Sequence, residues 1–148
     1  MQWQFEHYQV DTSISRLDIE CIHRFLAKES TWAAHIPKAI VEKSIKNSIN
    51  FGLYDDKQML AFARVITDKA TFANLVDVFV IKSEQGKGLS HYLMQAIDAH
   101  PDLQHIRRFT LATSTAKFLY QKYGFTELNS PSTMMERYFP NIYEINND

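Results

Sequence analysis

A chain of 148 residues has the length of a single domain and can bury a substantial core, so two independent domains are not expected. Hydrophobic residues make up 45% of the chain and charged residues 22%, which is the composition of a globular protein and not of a disordered one. The formal net charge of −1, with lysines and arginines scattered along the chain, offers no general attraction for nucleic acids or anionic membranes.

The first half of the chain predicts helices followed by a meander of strands. In chain order we expect a strand at residues 3–10, a helix at 17–29, a second helix from Pro37, and strands at 50–54, 59–67 and 71–81. The segment STWAAHIP interrupts the helical pattern between the two helices. Short polar turns join the three strands, so we predict an antiparallel meander.

The second half of the chain alternates helices with strands. The segment KSEQGKGLS leads into a helix with Leu89, Leu93 and Ile97 at helical spacing. A buried strand at residues 108–112, a short helix at 114–124 and two short strands around the segment SPS complete the prediction. This order predicts one α/β domain in layers over residues 1–148, and neither a pure sandwich nor a helical bundle.

A glycine-containing loop lies between the strand DVFVIK and the helix that follows it. Backbone N–H groups and the positive end of the helix dipole would meet there and could hold a phosphate. Gly86 and Gly88 let a ligand approach the backbone, while Lys87 and Ser90 add a charge and a hydroxyl. An ordinary strand-to-helix turn explains these residues equally well. The patterns of P-loop and dinucleotide sites are absent from the sequence, which disfavours a nucleotide-binding module.

The wider strings LVDVFVIKSEQGKGLSHYLMQAI and ATSTAKFLYQKYGF resemble the GNAT acetyltransferases. The resemblance implies a mixed, mostly antiparallel sheet with helices on both faces and acetyl-CoA as the acetyl donor. It places the coenzyme pyrophosphate on residues 83–88, although Ser83 and Gln85 depart from the residues that the family prefers. The strand before the loop would pair with the pantetheine arm. The implied coenzyme contacts are Phe79, Val80, Ile81, Gln85, Gly86, Lys87, Gly88, Leu89, Ser90 and Thr113.

Two residues are candidates for the chemistry of acetyl transfer. Tyr120 occupies the position of the family's tyrosine, which protonates the departing thiolate, and a phenol with a reference pKa near about 10 is protonated at neutral pH. Packing on a short helix is the alternative role for Tyr120. Asp77 is the one carboxylate in its apolar strand. It could act as a base through a water, fix a cationic substrate, or pair with an arginine such as Arg64.

Three residues are candidates for binding the acceptor. Arg64 lies within a strand and could bind a substrate carboxylate or pair with an acid. Trp32 and His35 fall in the break between the first two helices, where GNAT enzymes commonly form the acceptor pocket. The leading hypothesis is an N-acetyltransferase for a small-molecule primary amine, acting by direct attack in a ternary complex. The alternative is a non-catalytic acyl-CoA-binding domain of the same fold.

The remaining expectations concern cofactors, location and partners. The histidines and Cys21 show no metal-site spacing, and no catalytic triad pattern supports covalent catalysis, so we expect no metal. A single cysteine and the lack of a signal sequence or membrane span favour a cytoplasmic protein. We expect no nucleic-acid or membrane partner. Tyr138, Phe139 and Tyr143 could cover a homodimer interface or pack as an edge strand.

Overall fold

In the computed structural model, which describes residues 1–144, six strands form one sheet in the spatial order in which they follow along the chain. The strands are β1 (Gln2–Phe5), β2 (Tyr8–Asp11), β3 (Ile49–Asp55), β4 (Gln58–Thr67), β5 (Phe72–Val80) and β6 (Arg108–Leu111). The helices are α1 (Ile19–Arg24), α2 (Lys38–Lys46), α3 (Leu89–Ala99) and α4 (Lys117–Gln121). All neighbouring strands are antiparallel except β5 and β6, which are parallel.

The sheet buries a separate apolar cluster on each face. On one face, Leu93, Met94 and Ile97 of α3 pack against side chains of β3 and β4. On the other face, α1 and α2 cover the sheet with Ile22, Val41 and other apolar side chains. The predicted fold class, a mixed and mostly antiparallel sheet with helices on both faces, is therefore confirmed.

A β-bulge in the middle of β5 changes the shape of the sheet. Phe62 of β4 faces Phe79, but Arg64 faces Val76, so β5 contains one extra residue at this point. Asp77 lies in the bulge with a φ of 56°, a left-handed conformation that aspartate tolerates better than most residues. Because β6 pairs only with residues 72–75 of β5, the strand residues beyond the bulge diverge from β6. This divergence opens the space in which the candidate site lies.

Two sequence predictions of strands were wrong. Residues 3–10 form a hairpin and not one strand, since the chain turns at Glu6, whose φ is 55°. The two strands expected around SPS are absent from the described residues, and Pro131–Thr133 form a short 3-10 turn instead. Residues 126–142 are exposed to solvent, so no apolar face is buried there to stabilise a strand within one chain.

The predicted first helix changes its geometry halfway. It continues from α1 as one π-helical turn at Phe25–Glu29, in which the Ser30 N–H donates to the Phe25 carbonyl. Turns of this kind are rare and often occur at functional sites. Among residues 1–144, no helix combines the length and the apolar character that crossing a membrane would require.

Candidate active site

A groove of about 290 Å³ lies where β5 diverges from β6. The wall on one side is the second half of β5, and the wall on the other side comes from α3, α4 and the loop before α3. Its lining side chains and backbone belong to Phe25, Val78, Phe79, Val80, Gln85, Ser90, Ala116, Leu119 and Tyr120. The groove thus brings the glycine loop, the apolar strand and the tyrosine of α4 to one place, as the sequence motifs predicted separately.

The loop before α3 leaves backbone donors available at one end of the groove. Gly86 and Gly88 have φ angles of 84° and 75°, and Gly88 is the N-cap of α3 without a side-chain hydrogen bond. The first N–H groups of a helix have no partner within the helix, so they can bind an anion here. A Cβ atom added at Gly86 would meet nothing within 4 Å. The space above this glycine is therefore open to a ligand.

The polar side chains of the loop are engaged locally. Lys87 Nζ lies 2.6 Å from a carboxylate oxygen of Glu84, so the lysine charge is already paired. The side-chain amide of Gln85 donates to the carbonyl oxygen of Val80 at 3.1 Å. Anion binding at this loop would therefore rely mainly on backbone N–H groups.

Tyr120 lies at the boundary between the groove and the apolar core. Its side chain is 8% exposed, and burial raises the pKa of the phenol above its ordinary value. The phenol is therefore protonated throughout the neutral pH range. Tyr123, three residues later, does not line the groove, and its hydroxyl oxygen lies 2.8 Å from His91 Nδ1.

Two predicted coenzyme contacts occupy less direct positions. The Leu89 side chain is 2% exposed and packs in the α3 core, so only its backbone could face a ligand. Thr113 Oγ1 accepts a hydrogen bond from the Ala116 N–H at 3.0 Å. Thr113 lines a neighbouring cavity of about 270 Å³ between β6 and α4, on the far side of Tyr120.

Trp32, Arg64 and Asp77 form one hydrogen-bonded cluster on the α1 and α2 face of the sheet. The indole N–H of Trp32 donates to Asp77 Oδ1 at 2.9 Å, and Arg64 Nε donates to Asp77 Oδ2 at 2.8 Å. Arg64 Nη1 donates in addition to the hydroxyl of Ser48 at 2.9 Å. The side chains of Arg64 and Asp77 are 13% and 9% exposed, so this ion pair is largely buried.

The segment between α1 and α2 holds Trp32 in place. The Ser30 hydroxyl donates to the Leu26 carbonyl at 2.6 Å and accepts from the Ala33 N–H at 3.1 Å. The His35 N–H donates to the carbonyl of Ala27, and the His35 side chain is exposed. The segment therefore presents Trp32 from a well-anchored loop.

Phe25 connects the groove with the Trp32 cluster, and the sequence analysis did not identify it as a site residue. Its ring stacks on Phe79 with centroids 4.1 Å apart and lies 6.2 Å from the Trp32 ring. The same residue lines the groove together with Tyr120. Its position in sequence, an aromatic residue shortly before the break between two helices, was the available signal.

Other chemistries have little support in the described residues. No group of three or more His, Cys, Asp or Glu side chains within residues 1–144 is arranged to hold a metal ion. Cys21 is buried in α1, and this burial raises the pKa of its thiol, which disfavours the nucleophilic thiolate.

Comparisons with known proteins agree with the motifs. Residues 11–136 match the family model described as the acetyltransferase (GNAT) domain. The chain is 26% identical over 140 residues to an inferred acetyltransferase of Gibberella zeae, covering 81% of this chain and 79% of the relative. It is 51% identical to an inferred GNAT acetyltransferase from Xanthomonas campestris pv. campestris, with a TM-score of 0.91 and coverage of 95% and 99%.

An aminoglycoside N-acetyltransferase, AAC(6')-Iy, has a similar fold and was solved in complex with CoA. It is 19% identical to this chain, with a TM-score of 0.63 and coverage of 92% and 96%. At this identity the likeness concerns the fold alone.

Proposed function

The chain belongs to the GNAT acetyltransferase family, and from this premise we propose that it transfers the acetyl group of acetyl-CoA to a primary amine of a small molecule. The observation that carries the proposal is the groove in which Tyr120, the open strand β5 and the N-terminus of α3 meet. We propose that the activity resides in one domain over residues 1–148. The single cysteine favours a reducing compartment, and we propose the cytoplasm.

The residues of the groove fit acetyl-CoA. Backbone N–H groups at Gly86, Gly88 and the start of α3 would hold the pyrophosphate, for which the open space above Gly86 leaves room. The backbone of Val78 and Val80 would pair with the amides of the pantetheine arm, since this part of β5 has no β6 residue beside it. When bound, acetyl-CoA supplies a thioester whose carbonyl carbon the amine attacks.

The reaction needs two proton transfers, to which we assign residues. A new C–N bond forms, the C–S bond breaks, and the Tyr120 hydroxyl donates a proton to the departing sulfur. The attacking amine passes a proton to a water molecule, and we propose that the Asp77 carboxylate, which is hydrogen-bonded to Trp32, accepts this proton from the water. Since Cys21 is buried with a raised pKa, we propose direct attack in a ternary complex and no acyl-enzyme.

Gly86→Ala is expected to weaken coenzyme binding, and Gly124→Ala is its matched control. The two glycines have φ angles of 84° and 86°, and a Cβ atom added at either meets nothing within 4 Å. Each substitution should lower the free energy of unfolding by about 1 kcal/mol, because alanine is strained in the left-handed backbone conformation. Acetyl-CoA at 100 times its Kd should stabilise wild type and Gly124→Ala by about 2.7 kcal/mol and Gly86→Ala by much less.

This measurement uses thermal unfolding with and without acetyl-CoA, followed by release of CoA thiol in the presence of a panel of amines. Equal stabilisation of the two variants would contradict our placement of the pyrophosphate. Stabilisation without thiol release for any amine would favour the alternative, a non-catalytic acyl-CoA-binding domain.

We also propose that the protein forms a homodimer through β6 and the C-terminal segment. Within residues 1–144, β6 pairs with β5 and has no second strand beside it. The side chains of Met135, Tyr138 and Phe139 are 95%, 69% and 65% exposed. Open strand edges and clustered exposed apolar side chains are typical of association surfaces. Tyr143, by contrast, is half-buried against the α1 and α2 core.

The Tyr138→Glu/Phe139→Glu double variant is expected to be monomeric where the wild type is a dimer, because two charges would have to be buried in the interface. Analytical ultracentrifugation at micromolar concentration measures the difference. Ile14→Glu is the control, since Ile14 is exposed and follows β2, which lies four strands away from β6 in the sheet. A wild-type monomer at every concentration would refute the proposal.

A further inference from the structure

Two aromatic side chains form a surface that leads into the groove, supported by a third. We call this surface, made by Phe25 and Trp32, the aromatic shelf, and the buried ring of Phe79 lies beneath Phe25. Phe25 and Phe79 are stacked at 4.1 Å with an angle of 11° between their planes, and Trp32 lies 6.2 Å from Phe25. Phe25 and Phe79 also line the groove beside Tyr120. A ligand on the shelf would therefore lie next to the site of acetyl transfer.

Trp32 is both exposed and fixed in orientation. Its side chain is 53% exposed, although tryptophan contains one of the largest apolar surfaces of any residue. Its indole N–H is bonded to Asp77, whose side chain is only 9% exposed. The flanking loop is anchored by Ser30 and by the buried side chains of Ala33 and Ile36. An exposed aromatic ring that is held so firmly is suited to stacking against a flat group.

The ion pair beneath the shelf limits which charges an acceptor can carry. Both Asp77 oxygens accept hydrogen bonds, one from Trp32 and one from Arg64. Arg64 is held in turn by the Ser48 hydroxyl. A carboxylate on the acceptor would have to displace Asp77 from Arg64, and additional ammonium groups would meet a carboxylate that is already paired. The cluster therefore favours an acceptor without a carboxylate and without several positive charges.

From these contacts we infer that the acceptor is an arylalkyl monoamine, a primary amine joined by a short alkyl linker to a flat aromatic ring. The ring lies on the aromatic shelf against Trp32 and Phe25, and the linker carries the nitrogen into the groove beside Tyr120. This inference rests on the proposed acetyl transfer, because it names the substrate class of the same site. Amino acids, polyamines and aminoglycosides are then poor substrates.

The inference is tested with 2-phenylethylamine, hexylamine, spermidine and phenylalanine as acceptors, with release of CoA thiol as the readout. We expect kcat/KM for 2-phenylethylamine to exceed that for hexylamine by about tenfold, the size of effect that one stacked aromatic pair provides. Phenylalanine and spermidine should also be poorer substrates than 2-phenylethylamine, because of the carboxylate of the first and the additional positive charges of the second. Trp32→Ala should raise KM for 2-phenylethylamine about tenfold and raise KM for hexylamine by a much smaller factor, since hexylamine has no ring to stack on Trp32. Trp32→Phe keeps a ring but loses the N–H, and it should retain the preference.

Binding is measured separately, by quenching of the Trp32 fluorescence in a Trp3→Phe background without coenzyme. Quenching by 2-phenylethylamine without thiol release from any amine would refute the transfer reaction but support the aromatic shelf. Turnover of spermidine or phenylalanine as fast as that of 2-phenylethylamine, with no effect of Trp32→Ala, would overturn the substrate class and leave the transferase intact. If 2-phenylethylamine neither quenches the fluorescence nor is acetylated, the proposed substrate class is overturned as well. Retained stabilisation by acetyl-CoA shows that each variant is folded.

Discussion

Tyr120→Phe is expected to lower kcat by about 100-fold while coenzyme binding persists, because the proposed proton donor is lost and the ring that packs in the core is kept. The substitution removes one oxygen from a side chain that is 8% exposed, so the fold should tolerate it. Turnover is measured as CoA thiol release, and binding as stabilisation by acetyl-CoA. Unchanged kcat would show that another group protonates the departing sulfur.

Tyr123→Phe is the matched control for this prediction. Tyr123 lies on the same segment, but its hydroxyl bonds to His91 and it does not line the groove, so kcat should change little. The pH profile gives a second readout. Because burial raises the pKa of Tyr120, the phenol keeps its proton to a higher pH than a free tyrosine, and wild-type activity should fall only above the pH at which a free tyrosine loses its proton. That alkaline fall should be absent from the residual activity of Tyr120→Phe.

Arg64→Met or Asp77→Asn alone is expected to lower the free energy of unfolding by about 3 kcal/mol. Asparagine removes the charge and tolerates the left-handed backbone of this position. Each single change leaves the other charge largely buried and without its partner, since the two side chains are only 13% and 9% exposed. The double variant Arg64→Met/Asp77→Asn removes both charges and should recover most of the loss. Urea unfolding of the four proteins gives this double-mutant cycle.

The exposed pair of Lys117 and Glu127 provides the control for the cycle. Its side chains are 61% and 84% exposed at an N–O distance of 2.9 Å, so Lys117→Met should change stability by less than about 1 kcal/mol. Additive losses in the Arg64 and Asp77 cycle would contradict a coupled buried pair. A double variant that is stable and inactive would show that the pair of Arg64 and Asp77 acts in catalysis or substrate binding as well as in folding.

Local patterns in the sequence predicted most of the fold. The spacing of Leu89, Leu93 and Ile97 predicted α3, and the three β-prone runs predicted β3, β4 and β5 to within a few residues. These elements are amphipathic or continuously apolar, and both patterns can be read within a dozen residues. The motifs around Gly86, Gly88 and Tyr120 predicted the family for a related reason, since each motif is contiguous in sequence.

Local sequence patterns were thus sufficient for the family, the α/β class and the strand, loop and tyrosine that line the groove. The cluster of Trp32, Arg64 and Asp77 became visible only in the folded chain. The bulge turns Asp77 toward Arg64, and Trp32 bonds to Asp77 from 45 positions away in the sequence. Neither feature produces a periodic pattern of residues that the sequence could show. The packing of the chain also sets the conformation of the C-terminal segment: its residues suit strands, but residues 126–142 are exposed, and within residues 1–144 none of them pairs with the open edge of β6. Short-range patterns report local conformational preference, whereas these contacts depend on which distant side chains the packed sheet brings together.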